Sequence, residues 1–232
     1  MRDVRVWHAD IAETALLRQP DAAAAWLTAE ERVRYDRFAV DQDRQMFLLG
    51  RAMARTLVGT ALGVSPRAWE WGEGPHGRPE IGGGATPLRF NLTHSAGLVA
   101  CALAWDRDVG VDVEDLERRP VDRAVVTRYC APAEVADIDA HGDRWHDRFL
   151  HYWTLKEAYL KARGLGIAVP LAQICFRLDN GAPRVEFLGS LLGTDARWAL
   201  TLVQPTPRHV LAVAASTAGA AEPVWHVDAW RS

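Results

Sequence analysis

Near the midpoint of the 232-residue chain stands the pentapeptide Gly110-Val111-Asp112-Val113-Glu114. Its two carboxylates alternate with two valines, which is the period of a β-strand, so Asp112 and Glu114 are predicted to share one face. Carboxylates paired in this way are half of a site for a hard divalent cation. A strand whose polar face simply meets water has the same alternation, and the pentapeptide alone leaves both interpretations open.

A second motif, Trp153-Thr154-Leu155-Lys156-Glu157-Ala158-Tyr159-Leu160-Lys161, follows about 40 residues later. Helical spacing places Trp153, Glu157 and Lys161 on one stripe, with Lys156 beside it. We expect the tryptophan to face the interior, so that Glu157 approaches the strand carboxylates and both lysines meet phosphate oxygens. A solvated helix with a Glu–Lys pair four residues apart is the alternative.

Helices followed by strands occur twice around these motifs. We predict helices over 22–38, 42–62, 121–129, 132–139 and 144–163, the first with Thr28 as N-cap and Glu31 completing a capping box. Strands are predicted over 4–11, 90–92, 98–105, 110–114, 174–178, 184–188, 198–204, 210–215 and 224–230. This order indicates an α+β fold with two similar halves, residues 1–109 and 110–232.

Composition excludes several functional classes. With 49% hydrophobic residues the chain can build a core, and a net charge of -3 argues against a nucleic-acid partner held by a broad basic surface. The N-terminus has no apolar signal segment and no stretch is long enough to span a membrane, so we expect a cytoplasmic protein without a membrane partner. The cysteines Cys101, Cys130 and Cys175 are isolated, which disfavours disulfides and zinc sites.

Taken together, the two motifs resemble the signature of the 4'-phosphopantetheinyl transferase superfamily, G-[IV]-D-x-E followed by [WF]-x-x-K-E-[AS]-x-x-K. Their spacing and the chain length resemble the monomeric, Sfp-type branch that serves nonribosomal peptide and polyketide synthases. The resemblance implies the transferase fold of that branch, in which two similar halves are related by a pseudo-twofold axis. It also implies a monomer, because the second half supplies the interface that a dimer would provide.

Two further segments resemble the same family. Phe90-Asn91-Leu92-Thr93-His94-Ser95 is similar to its F-N-x-S-H-S segment, with Thr93 in place of serine, and Gly77-Arg78-Pro79 is similar to its G-K-P loop. The resemblance implies that Arg78 and His94 bind the phosphates of coenzyme A, that Thr93 places a hydroxyl near the adenosine, and that Arg51 reaches the 3'-phosphate region.

The resemblance also implies a reaction. A serine hydroxyl of an apo acyl or peptidyl carrier protein attacks the β-phosphorus of coenzyme A and expels 3',5'-adenosine bisphosphate. Asp112, Glu114 and Glu157 would hold Mg²⁺, and Mn²⁺ could replace it. Lys156 and Lys161 would stabilise phosphate charge, and either Glu157 or a metal-bound water would act as the base.

Two other functions remain open from the sequence. A coenzyme A-binding module without turnover would need the phosphate contacts alone, and a magnesium-dependent phosphohydrolase would direct water at a phosphoryl group. The apolar residues Leu116, Val121 and Val125 follow the carboxylate strand and are candidates for carrier docking. Ordinary core packing of the next helix explains them equally well.

Overall fold

The computed structural model describes residues 3–18, 24–74, 77–83, 86–165, 169–179, 181–192, 197–217 and 221–231. The α-helices are α1 (Ala29–Asp36), α2 (Asp41–Leu62), α3 (Arg123–Tyr129), α4 (Pro132–Ala140) and α5 (Trp145–Arg163). The strands are β1 (Asp3–Asp10), β2 (Trp71–Glu73), β3 (Pro79–Ile81), β4 (Leu88–Ser95), β5 (Leu98–Trp105), β6 (Val109–Asp115), β7 (Ile174–Arg177), β8 (Arg184–Phe187), β9 (Trp198–Thr206), β10 (His209–Ser216) and β11 (Val224–Ala229).

Two sheets packed face to face form the centre of the molecule. The strand orders are β11-β1-β5-β4 and β6-β10-β9, and β2-β3 and β7-β8 form two-stranded sheets. Small and branched side chains fill the space between the two large sheets, with Ala100 and Ala102 of β5 against Val111 and Val213 of the other sheet. The structure is therefore α+β, as predicted.

A long helix covers the outer face of each large sheet. Residues of α2 such as Leu49 and Met53 pack against Phe90 of β4, whereas α5 packs its apolar side against β10. Both faces of the central strands β5 and β10 are consequently buried, which explains their almost continuous apolar sequences. The long helices also end alike, each with a left-handed glycine, Gly63 or Gly164, as its C-cap.

The C-terminal strand departs from a simple division at residue 110. The predicted terminal strand forms as β11, but it pairs in parallel with β1 and so belongs to the sheet of the N-terminal half. Residues 110–232 are therefore not a self-contained half, because their last strand covers an edge that β1 would otherwise leave open. The predicted boundary between residues 109 and 110 falls one residue inside β6.

Local signals located several elements well. The capping box predicted before α1 is present, since Thr28 Oγ1 accepts from the Glu31 amide at 3.2 Å and Glu31 Oε2 accepts from the Thr28 amide at 2.9 Å. The helix starts only after this box, at Ala29, and residues 22–23 of the predicted helix lie outside the described residues. The glycine- and proline-rich segment after Trp69 contains the β2–β3 hairpin.

Gly110 allows an unusually close approach of β6 to α5. A Cβ atom at this position would lie 2.1 Å from the Ala158 carbonyl oxygen and 2.3 Å from the Ala162 amide nitrogen. Backbone therefore packs directly on backbone, which only glycine permits. This contact holds the helix that carries Glu157 against the strand that carries Asp112.

Candidate active site

The edges of the two large sheets meet at β4 and β6. The buried Asn91 side chain of β4 accepts a hydrogen bond from the Val111 amide of β6 at 3.0 Å. This bond satisfies a backbone donor at the edge of β6 and holds the carboxylate strand beside β4. Sequence reasoning assigned Asn91 no role, although it stands in the same six-residue segment as Thr93 and His94.

Three side chains from β4, β6 and α5 meet at this junction. Lys161 Nζ donates to Asp112 Oδ1 at 2.6 Å and lies 3.1 Å from Thr93 Oγ1, which itself donates to Asp112 Oδ1 at 3.1 Å. Asp112 is buried, and its other oxygen, Oδ2, is also buried without a hydrogen-bond partner among the described residues. An unpartnered carboxylate oxygen in such a position is suited to a bound cation.

Two glutamates lie in the same electrostatic neighbourhood. Burial, followed by the charge of Asp112, raises the pKa of Glu114, although Arg118 lies 2.8 Å from its Oε2 and opposes the rise. Burial and the Asp112 charge likewise raise the pKa of Glu157, with Lys161 opposing and Glu114 reinforcing the shift. Concentrated negative charge of this kind favours a cation.

The described side chains do not form a closed metal cage as they stand. Within these residues, no three or more His, Cys, Asp or Glu groups are close enough together to hold a metal ion. Asp112 pairs instead with Lys161, and Glu114 pairs with Arg118. The donor chemistry nevertheless fits magnesium, because the groups are carboxylates and one buried oxygen is unpartnered.

A cavity of about 220 Å³ lies beside these carboxylates. Thr93 connects the two, because it lines the cavity and donates a hydrogen bond to Asp112. Arg51, Trp71 and His94 also line it, and the Arg51 guanidinium lies 3.6 Å from the centre of the Trp71 ring. Loss of water around the ring, and then the charge of Lys161, lower the pKa of His94, which favours neutral imidazole at pH 7. Burial lowers the pKa of Arg51 to about 10, so its guanidinium remains charged.

Lys156 lies away from the cavity, contrary to its predicted role at phosphate. Its side chain is completely buried, and Nζ lies 2.8 Å from Glu134 Oε2 while donating to the carbonyl oxygens of Leu171 and Ile174 at 3.0 and 2.5 Å. All three ammonium donors are occupied, so no phosphate oxygen can be bound. A rotation of about 100° between adjacent helical positions separates Lys156 from the face of Glu157.

Arg78 is also engaged elsewhere. Its Nη1 donates to the Ala162 carbonyl oxygen near the end of α5 at 2.9 Å, and its Nη2 lies 3.6 Å from Asp108. The contacts described for this guanidinium thus join the β2–β3 hairpin region to the C-terminal half. They suit a structural tie near a helix C-terminus better than the predicted phosphate contact.

The candidate docking residues Leu116, Val121 and Val125 are half-buried against the apolar core around α5. This is the ordinary packing that the sequence left as an alternative.

In the described parts of the chain, no helix is both long and apolar enough to cross a membrane.

Similarity to known proteins covers both halves. Residues 15–105 match the family model "4'-phosphopantetheinyl transferase, N-terminal", and residues 108–214 match "4'-phosphopantetheinyl transferase superfamily". The 4'-phosphopantetheinyl transferase HetI of Nostoc sp. is 33% identical over 217 residues, covering 90% of this chain and 89% of HetI. This chain belongs to the 4'-phosphopantetheinyl transferase superfamily.

Further relatives identify the branch of the transferase. A Bacillus subtilis 4'-phosphopantetheinyl transferase is 32% identical over 171 residues, covering 72% of this chain and 74% of the relative. The transferase Sfp of Bacillus subtilis strain 168 is 26% identical over 164 residues, covering 70% and 71% of the two chains. The predicted Sfp-type membership is confirmed, and the chain is a transferase of this type.

Proposed function

We propose that this transferase moves the 4'-phosphopantetheine arm of coenzyme A onto a serine of an apo acyl or peptidyl carrier protein and releases 3',5'-adenosine bisphosphate. The contact of Lys161 with both Asp112 and Thr93 carries the proposal. It joins an acidic centre to a cavity lined by cationic and aromatic side chains. A doubly anionic diphosphate needs such a combination of metal-binding carboxylates and fixed cations.

The nucleotide end of coenzyme A is assigned to the cavity. Arg51 supplies a permanent cation and Trp71 an aromatic face, while His94 offers a ring nitrogen as donor. Thr93 stands at the passage from the cavity to the carboxylates, where the diphosphate would cross. The phosphate role expected for Lys156 is not retained, because other partners occupy all three of its ammonium donors, and that of Arg78 is not retained because its guanidinium is tied to Ala162 and Asp108.

Asp112, Glu114 and Glu157 would hold Mg²⁺, with Mn²⁺ as an alternative. When bound, the ion would neutralise charge on the diphosphate oxygens. Asp112 offers its unpartnered Oδ2, and burial together with the Asp112 charge raises the pKa of Glu114 and of Glu157, a setting in which a cation would stabilise the carboxylates.

Side chains of the protein would stabilise the developing charge and accept the proton. Lys161 stabilises negative charge as the bond from the β-phosphorus to the departing 3',5'-adenosine bisphosphate breaks. Either Glu157 or a metal-bound water that Glu157 orients would accept the proton of the attacking serine hydroxyl. We expect the carriers to belong to nonribosomal peptide or polyketide synthases and the enzyme to act as a cytoplasmic monomer.

Intact mass of an apo carrier protein, measured after incubation with this transferase, coenzyme A and magnesium, tests the proposal. We expect a gain of one phosphopantetheine that disappears with EDTA and in Glu157→Ala. Glu186→Ala is the matched control and should remain active, because that glutamate is exposed on β8 and pairs with Arg177. Coenzyme A cleavage without a carrier would instead indicate a phosphohydrolase, and binding without any product would indicate a binding module.

A further inference from the structure

Glu31 connects α1 to two arginines of α2, Arg51, which lines the cavity, and Arg55. Its Oε1 lies 3.3 Å from Arg51 Nε, and its Oε2 lies 3.2 Å from Arg55 Nη2. The same Oε2 accepts the Thr28 amide at 2.9 Å, so one carboxylate serves the capping box and both guanidinium groups. In α1, which is fully described, no residue is buried, and Glu31 attaches the helix to α2 together with ring contacts of Arg34 with Phe47 and of Tyr35 with Arg44.

The two arginines require this carboxylate. They stand four residues apart, on the same face of α2, and their side chains are 12% and 4% exposed, so their mutual repulsion is poorly screened by water. Like charges so placed would move apart without a shared counter-charge. Glu73 is a second carboxylate near Arg51, and α1 adds the cation Arg34 to the same cavity wall.

Arg51 is held on two sides. Glu31 forms an ion pair with Arg51, with no hydrogen bond at Nε, and the guanidinium lies on the Trp71 ring in the geometry of a cation–π contact. A long arginine side chain fixed in one rotamer before ligand binding loses less entropy when the ligand arrives. Fixing Arg51 in this way should therefore increase the affinity of the cavity for an anion.

We propose that Glu31 is a positioning residue: it holds Arg51 against Trp71 and thereby sets the affinity for the phosphate-bearing nucleotide end of coenzyme A without touching the ligand. This inference rests on the proposed function. Chemistry occurs at Asp112 and Lys161, which β6 and α5 hold independently of α1. The effect should therefore fall on binding and spare turnover.

The test compares Glu31→Asp and Glu31→Gln with Thr28→Ala. Glu31→Asp keeps the charge but withdraws the carboxylate by about 1.5 Å, the length of one carbon–carbon bond, and this separates orientation from net charge. Thr28→Ala weakens the same capping box but retains the carboxylate. KM and kcat for coenzyme A, and calorimetric affinity for 3',5'-adenosine bisphosphate, are measured alongside thermal unfolding.

We expect both Glu31 variants to raise KM and the dissociation constant about tenfold, the lower range for loss of an orienting partner, with kcat within about twofold. Thr28→Ala should leave all three constants within about twofold. Unchanged KM in Glu31→Asp, a lower KM in Glu31→Gln, or an equal rise in Thr28→Ala would each overturn the inference. A wild-type protein that neither transfers phosphopantetheine nor binds coenzyme A would show that the proposed function itself is wrong.

Discussion

Lys161 Nζ lies 2.6 Å from Asp112 Oδ1, and this ion pair joins the last turns of α5 to the middle of β6. Thr93 lies within hydrogen-bonding distance of both groups, so the pair also reaches β4. The lysine side chain remains 29% exposed, whereas that of Asp112 is 9% exposed. The ammonium group is therefore accessible to a ligand while the carboxylate holds it in place.

Lys161→Met should reduce kcat/KM for carrier modification by about a hundredfold to a thousandfold, because the fixed cation that we propose faces the diphosphate is lost. Intact-mass time courses with an apo carrier measure the change. Arg163→Met is the control, since that exposed residue of the same last turn contacts the Tyr159 hydroxyl. Near-normal activity of Lys161→Met would remove the lysine from the proposed mechanism.

Lys156→Met should destabilise the fold by about 3–5 kcal/mol, because Glu134 is left as an uncompensated buried charge. Urea denaturation measures this loss. Replacing Glu134 as well should recover only part of it, because that carboxylate also accepts the Ala131 and Phe176 amides, both at 2.7 Å. Folded Lys156→Met should bind 3',5'-adenosine bisphosphate normally, and a tenfold loss would restore the phosphate role rejected above.

Gly110→Ala should destabilise the protein and reduce transfer, because its Cβ would meet the α5 backbone at 2.1 Å and push the helix from β6. Overpacking of this kind costs about 1–3 kcal/mol, or more where backbone must move. Gly181→Ala is the control, since nothing lies within 4 Å of a Cβ built there. Equal unfolding midpoints for the two variants would contradict the close-packing argument.

Asp137 should make stability depend on acid pH. Burial raises its pKa, but hydrogen bonds from Arg148 at 2.5 Å and Tyr152 at 2.7 Å outweigh this effect and lower it. The stabilisation is therefore complete above the unfolded pKa of about 3.9 and is lost as pH falls through the lower folded value.

Urea midpoints at neutral pH and near pH 3 test this dependence. Asp137→Asn should be less stable than the wild type at neutral pH, and the difference should shrink in acid. The exposed Asp143→Asn provides the control. A difference that grows on acidification would mean that the pKa of Asp137 is raised in the folded protein.

Local periodicity was enough to predict much of the site. The two-residue period of 110–114 correctly placed Asp112 and Glu114 on one face, and helical spacing placed Glu157 and Lys161 on one stripe. The capping box at Thr28 and Glu31 also follows from neighbouring residues alone. Such features depend on contacts within a few residues, which a single sequence contains.

Contacts between elements that are distant in sequence could not be predicted from local periodicity. Lys156 and Lys161 stand in one motif with equal chemistry, yet the first meets Glu134 and the second meets Asp112. Arg78 points to the end of α5, and β11 returns to pair with β1. None of these contacts leaves a local signal, because each depends on how helices and sheets pack.

The sequence by itself determined which side chains share a face, since backbone geometry imposes that within a few residues. Only the tertiary structure decided what each face meets. The backbone contact at Gly110 turns Glu157 and Lys161 toward β6, and Lys156, about 100° around the helix from Glu157, is buried against Glu134. That choice rests on packing between elements about 50 residues apart, where the free energy of the whole core selects one arrangement.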